Sequence, residues 1–316
     1  MNFVDDRKKL MQSVIKGINI CEPNDYINID GLNSYCLHRR DVENDKVQII
    51  VSGGGGYGPL FPGFVGKGLA DGMVHGELDC APNAYAIYEL VKRINRGKGV
   101  LLLTNNYMGD YLNNDMAIEL LGNEGFDAKV VYVSDDVMSS KDELKENRGG
   151  LSGIGIITKV AAAGAAEGSD LDAVYRIAQK ANDNLRSIAV TMDESTGNIE
   201  YGRGFSGEEA VYTYKYSGSF TAMRSAIEFL INDYVSKPSE VCLCCNRLRY
   251  TTYAEGHILL CDADEVLRKM NIGVYSASCG CYLDAFNKSG AIINVLKLDD
   301  ELKKYVTSVR GYDFTI

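Results

Sequence analysis

The chain has 316 residues, 46% hydrophobic and 24% charged; 33 basic and 43 acidic residues give a formal net charge of -10. The length suggests two domains. The acidic balance excludes direct binding of DNA or RNA, which needs a basic face, and no run of about 18 apolar residues offers a membrane span. The opening MNFVDDRKKLMQSV mixes acids and bases without an apolar core. It is no signal peptide, so a cytoplasmic location is expected.

In chain order, Val47–Val51, Gly99–Thr104 and Lys129–Ser134 are short β-branched runs bounded by glycine or polar residues. Each reads as a strand buried on both faces. Between them Ala84–Ile94 and Leu112–Gly122 carry helical spacing, with Gly122 as the expected C-cap. Alternating strands and helices imply a largely parallel sheet flanked by helices. From Ser169, expected as an N-cap with Asp172 three residues on, an apolar stripe runs through Leu171, Val174, Ile177, Ala178, Ala181, Leu185 and Ile188. Thr191–Glu209 loses periodicity, which places a domain junction near it: residues 1–190 form one α/β domain and 191–316 a second. The second is expected to hold a helix over Thr221–Val235 and strands at EVCLCC and AIINVLKL.

Nine cysteines raise the question of metal. Cys242, Cys244 and Cys245 fall inside an apolar strand and Cys279 and Cys281 in SCGC, whereas structural zinc prefers two separated knuckles on turns. Reduced, buried thiols are the preferred reading, with no metal.

The stretch IVSGGGGYGPLFPGFVGKGL, Ile50–Leu69, admits several readings. Gly53, Gly55 and Gly58 match a dinucleotide fingerprint, but Pro59 stands where a helix must open, and no acid-tipped second strand follows. A nucleotide P-loop fails because Gly68 occupies the Ser/Thr position. A tight turn alone needs fewer glycines. No nucleotide or other cofactor is expected on this chain.

VSGGGGYGPLFPGFVGKGLADG, NNYMGD (Asn105–Asp110), RGGLSGIGIITKVAAAGAAEGSDLDAVYRIAQKANDNLRSIAV and GRGFSGEEA occur together and in order. In these motifs the chain resembles the dihydroxyacetone kinase substrate-binding (DhaK-like) family. The resemblance implies two α/β domains of the DhaK (Dak1) type, a homodimer, a small hydroxyketone or polyol ligand, and phosphoryl-transfer subunits as partners. It also implies Gly53, Gly54, Gly55, Gly56 and Tyr57 as the ligand loop. Asp110 matches the family aspartate that takes a proton from the substrate hydroxyl, and Asn105 replaces the usual lysine before that motif. His75 falls on a segment that lines the family pocket.

Two departures shape the functional expectation. The family histidine in G-I-H-G-E bonds covalently to the ketone carbon; here the stretch reads GFSGE, with Ser206 in its place. The family loop S-G-G-G-S-G-H-E-P carries a second histidine, absent from SGGGGYGP, where Tyr57 or Gly58 takes the position. A serine without a base is a weak nucleophile, and tyrosine, with a reference pKa of about 10, is a poor base. Positioned acid–base groups contribute about 10²–10⁴-fold, so little phosphoryl transfer is expected. The resemblance extends to non-catalytic, DhaQ-like paralogues that sense ligand and engage a TetR-type transcription activator. Such a coactivator is the leading expectation; the alternative is a divergent dihydroxyacetone or ketose kinase subunit that uses Asp110 without covalent attachment.

Overall fold

The computed structural model of the chain describes residues 6, 9–21, 26–29, 34–139, 144–204, 208–284 and 289–307. These form two compact units. The first takes the residues up to Tyr132 together with Thr158–Gln179; the second takes Val133–Ile157 and the residues from Lys180 onward.

The first unit contains α1 (Leu10–Cys21), β1 (Tyr26–Ile29), β2 (Tyr35–Arg39), β3 (Gln48–Gly55), β4 (Gly72–Leu78), α2 (Ala84–Ile94), β5 (Val100–Asn105), α3 (Met108–Asn123) and β6 (Ala128–Val133), whose last residue opens the second unit. The sheet order is β1-β2-β4-β3-β5-β6. β3 runs parallel to both β4 and β5, while β2 pairs antiparallel with β1 and β4. β3 and β5 are buried on both faces, as expected for strands in the middle of a helix-covered sheet. On one face Ile50, Val74, Val100 and Leu102 pack against Ile87, Leu90 and Ile94 of α2 and Ala117 and Leu121 of α3. Asn83 caps α2 by accepting the Tyr85 amide at 2.7 Å.

Helices α4 (Ile154–Ala166) and α5 (Leu171–Asn184) carry the chain between the units. The second unit then holds β7 (Leu185–Asp193), β8 (Asn198–Tyr201), β9 (Tyr212–Lys215), α6 (Ser219–Asn232), β10 (Glu240–Arg247), α7 (Tyr253–Lys269), β11 (Gly273–Gly280), β12 (Ser289–Lys297) and α8 (Asp300–Thr307). Its sheet order is β11-β10-β12-β7-β8-β9; only β10 and β11 pair in parallel. Ile188, Leu243, Ile293 and Val295 of this sheet pack against Met223, Ile227 and Leu230 of α6 and Val266 and Leu267 of α7. α7 begins with a reciprocal cap between Thr252 and Glu255. The expected class, two α/β bodies with mixed sheets flanked by helices, is the one observed.

Several local expectations shift. Residue 190 lies inside β7, so the units exchange segments through α4 and α5 instead of dividing there. The stripe continued through Leu185 and Ile188 crosses from α5 into β7, where both residues still face the core. Asp170, not Ser169, caps α5 by accepting the Ala173 amide at 2.8 Å. α3 runs one residue past Gly122, and Gly125, at φ 77°, reverses the chain. The aperiodic stretch after Thr191 contains the β7–β8 hairpin, closed at Gly197 (φ 65°), in which the acidic Glu200 pairs with Arg203 and Thr191.

Candidate functional site

The carboxyl ends of β3, β4 and β5 lie side by side, with Gly53 opposite His75 and Ser52 opposite Thr104. Ligands of open α/β sheets collect at such ends, where the chain leaves a strand and a helix begins. Here β5 ends at Asn105, and α3 starts three residues later, with Tyr107 at the N-cap making no side-chain cap.

The first turn of α3 is pinned to β3. Ser52 Oγ donates to Asn114 Oδ1 at 3.0 Å, and Asn114 Nδ2 donates to the Asp110 carbonyl at 2.9 Å. Asp110 is buried, and its Oδ1 has no hydrogen-bond partner; the fully buried Thr104 Oγ1 has none either. Unmatched buried oxygens of this kind are rare and call for a reason, often a ligand. Burial raises the Asp110 carboxyl from 3.8 to about 7. A carboxyl balanced near neutrality can donate a proton to a ligand oxygen or accept one from a hydroxyl. Asn105 is buried directly before this turn, and its carbonyl accepts the Tyr107 amide at 2.9 Å.

The glycine run is shaped first by the protein itself. A Cβ on Gly55 would stand 2.5 Å from the Gly76 carbonyl oxygen, and one on Gly53 would stand 2.6 Å from the Phe61 ring. Gly56 takes φ 100°, which a side chain resists. Only Gly54 has ordinary room: its nearest neighbour would be the Cys80 carbonyl oxygen at 3.5 Å. Tyr57 is buried, and its hydroxyl donates to Asp79 Oδ1 at 2.5 Å, fastening the glycine loop to the turn after β4.

His75 is almost wholly buried on β4. Its neighbour Val74 packs with α2 and α3, so strand alternation points His75 to the other face, away from Ser52 and Thr104. There it lies against the Tyr35 ring at 5.3 Å, and Nδ1 donates to the Gly76 carbonyl at 2.7 Å. Nε2 is left unprotonated and without a partner, and burial lowers the imidazole to about 4. The structure therefore brings Gly53, Gly54, Asn105 and Asp110 to one end of the sheet and sets the His75 ring on the face opposite Asp110. Ser206 lies outside the described residues.

Sequence reading missed Ser52, Thr104 and Asn114. The available signals were a polar residue closing the apolar strand, and an asparagine one helical turn after Asp110. Among the described residues no group of three or more His, Cys, Asp or Glu is placed to hold a metal ion. Cys242, Cys244 and Cys245 are buried in β10. No helix among the described residues is long and apolar enough to cross a membrane.

A doubly built α/β protein with a small polar site at its strand ends is thus defined, and comparison with known proteins places it. The Dak1 domain family model matches residues 16–311, and the chain belongs to that family. It is 34% identical over 275 residues to the dihydroxyacetone-binding subunit DhaK of PTS-dependent dihydroxyacetone kinase 2 of Listeria innocua, covering 83% of this chain and 82% of that one. A solved structure described as "Regulation of the dha operon of Lactococcus lactis" superposes with a TM-score of 0.86 at 23% identity, over 96% of this chain and 94% of the other. The structure of the dihydroxyacetone kinase operon co-activator Dha-DhaQ gives 0.85 at 22% identity, over 93% and 94%. The last two share the fold.

Proposed function

We propose that this chain binds dihydroxyacetone or a similar small hydroxyketone at the strand ends around Asp110, and acts as a ligand-responsive coactivator of a TetR-type DNA-binding regulator. The observation that carries the reading is the contrast around Asp110. The buried carboxyl keeps an open oxygen for a ligand hydroxyl, yet no histidine accompanies it. Tyr57, standing in the family histidine's loop, has its hydroxyl engaged by Asp79. His75 faces the opposite side of the sheet, and the sequence places Ser206 where the covalent histidine belongs. A ligand held by Asp110 and the Gly54 backbone is recognised without being activated. The acidic chain leaves DNA contact to the partner. A homodimer, as in the DhaK-like family, is part of the proposal.

The test combines three measurements on the intact protein. Calorimetry with dihydroxyacetone reports reversible binding. Intact mass after incubation and borohydride reduction reports any covalent adduct. A phosphoryl-transfer assay with donor subunits reports turnover. Binding without adduct or turnover is expected, together with ligand-dependent association with the regulator. Measurable turnover abolished by Asp110→Asn would replace this reading with the second one, a divergent ketose kinase subunit. The observation favouring that alternative is the Asp110 carboxyl poised at about 7, close to the optimum for a general base.

A further inference from the structure

Helix α3 has two apolar sides. One is buried through Ala117 and Leu121, beside the polar Asn114. The other is open to solvent: Met108 is 74% exposed, Leu112 57%, Met116 58% and Leu120 38%. These four stand four residues apart and form a single ridge along the helix. Tyr111, also exposed, lies beside the ridge with its ring 4.8 Å from that of Tyr132. Exposed Tyr85, at the start of α2, extends the patch, because the neighbouring Ala84 amide donates to Asn113 Oδ1 of α3 at 3.1 Å. Isolated apolar side chains on a surface are ordinary, but a contiguous run of methionine, leucine and tyrosine marks an interaction face.

Charge narrows the occupant. Asp115 and Glu119 are exposed on the same helix, and Met108–Asn123 contains no lysine or arginine. A second copy of this chain would set the same acids against themselves across a two-fold axis. An anionic lipid surface would meet a chain of net charge -10. A segment with apolar side chains at helical spacing and basic residues on its flanks satisfies both features of the ridge.

We infer that the exposed ridge of α3 is the docking face for an amphipathic, basic-flanked helix of a different protein. Its apolar side meets Met108, Leu112, Met116 and Leu120, and its lysines or arginines meet Asp115 and Glu119. The inference deepens the reading of a ligand-responsive partner-binding protein and rests on it. Asp110 occupies the first turn of this same helix, held to β3 through Asn114 and Ser52. A ligand on Asp110 and a partner on the ridge therefore meet the same helix, and they are coupled to the extent that both bias its placement against β3.

The test places a photo-crosslinking benzoylphenylalanine at Leu112 or at Met116 in the full-length protein, in cells that naturally make it. Exposed Tyr253 on α7 is the control position. Sequencing of the conjugated peptide by mass spectrometry is expected to find a segment of another protein with apolar helical spacing and flanking basic residues. Leu112→Glu with Met116→Glu is expected to weaken that partner's binding at least ~10-fold, with dihydroxyacetone affinity held within about twofold and the melting temperature unchanged. Conjugation to this chain's own peptides, to lipid, to a segment lacking basic residues, or at no more than the Tyr253 yield overturns the inference. Repeating the conjugation with dihydroxyacetone separates the two readings. Equal yield with and without it removes the ligand response and leaves the docking face, whereas intact dihydroxyacetone binding with no partner conjugate removes the face alone.

Discussion

Both sheets bury polar side chains at their centres, and the two treat them differently. In the second unit Asn294 accepts from Ser152 and Ser187 at 2.9 and 2.8 Å, while its amide donates to the Cys244 carbonyl at 3.2 Å. Asp135 accepts the Leu151 and Gly153 amides, and Asp233 pairs with both Arg148 and Arg186. Each group is matched by another fixed group, which makes the region rigid. In the first unit the strand ends leave Asp110 Oδ1, Thr104 Oγ1 and His75 Nε2 unmatched. The second unit also leaves Ser276 Oγ and Ser278 Oγ unmatched on its edge strand β11. The contrast therefore lies between the matched network around Asn294 and the open oxygens around Asp110, which call for a reason such as a ligand.

The largest expected effect tests the cost of those open oxygens. The Asp110 carboxyl is held at about 7 when folded, against 3.8 for the free group. The folded protein thus binds this proton more tightly than the unfolded chain, and the site costs nothing below about pH 4. Stability falls as pH rises from about 4 to 7 and stays reduced above that. Asp110→Asn removes the penalty, so it should stabilise the protein by about 3 kcal/mol at pH 8 and have little effect at pH 4. Chemical denaturation at the two pH values measures the difference; equal stability at pH 8 would mean water or a neighbour already satisfies the carboxylate. Close behind comes Gly55→Ala, which forces a methyl group to 2.5 Å from the Gly76 carbonyl. Backbone cannot yield as a side chain does, and a loss of about 3 kcal/mol is expected in denaturant unfolding. In the second unit, Asn294→Ala removes the acceptor of the Ser152 and Ser187 hydroxyls and a donor to the Cys244 carbonyl, and should cost about 2 kcal/mol. Dihydroxyacetone affinity per folded molecule should stay unchanged, and a parallel loss of affinity would break the division between a rigid network and an open site.

Legibility in the sequence follows the same division. β3, β5, β10 and β12 could be read because buried strands are unbroken apolar runs, and α2 was placed to the residue by its spacing and its flanks. β8 and β11 were hidden: Glu200 sits inside one, and GVYSASCG, at the sheet edge, presents small and polar side chains. The β7–β8 hairpin likewise looked like a linker because its turn is rich in glycine and acid. Asp110 was legible only through family resemblance, since a lone aspartate in a first helical turn is also an ordinary dipole partner. Ser52 and Thr104 could not be found from spacing, because their roles arise from the pairing of β3 with β5 across 52 residues of chain. His75 illustrates the converse. Its position in the sequence suggests the pocket, but one step along a strand decides the face, and Val74 takes the side of the helices.

The smallest stability effect carries the sharpest functional contrast, and it concerns the glycine next to Gly55. A Cβ on Gly54 would meet the Cys80 carbonyl at 3.5 Å and the Tyr57 ring at 3.6 Å, both ordinary contacts. Gly54→Ala is therefore expected to change stability by less than about 1 kcal/mol, in either direction, since alanine also restricts the unfolded chain. If Gly54 serves only the turn, dihydroxyacetone binding should survive as well. If its backbone lies against the ligand, the added methyl group occupies that space, and calorimetry should show affinity falling at least ~10-fold in a protein that melts like the wild type. Gly55→Ala cannot make this distinction, because it damages the fold whichever role the loop plays. Unchanged affinity in Gly54→Ala would assign the whole glycine run to packing against Gly76, Phe61 and Asp79, and would leave Asp110 and Thr104 as the ligand-facing part of the site.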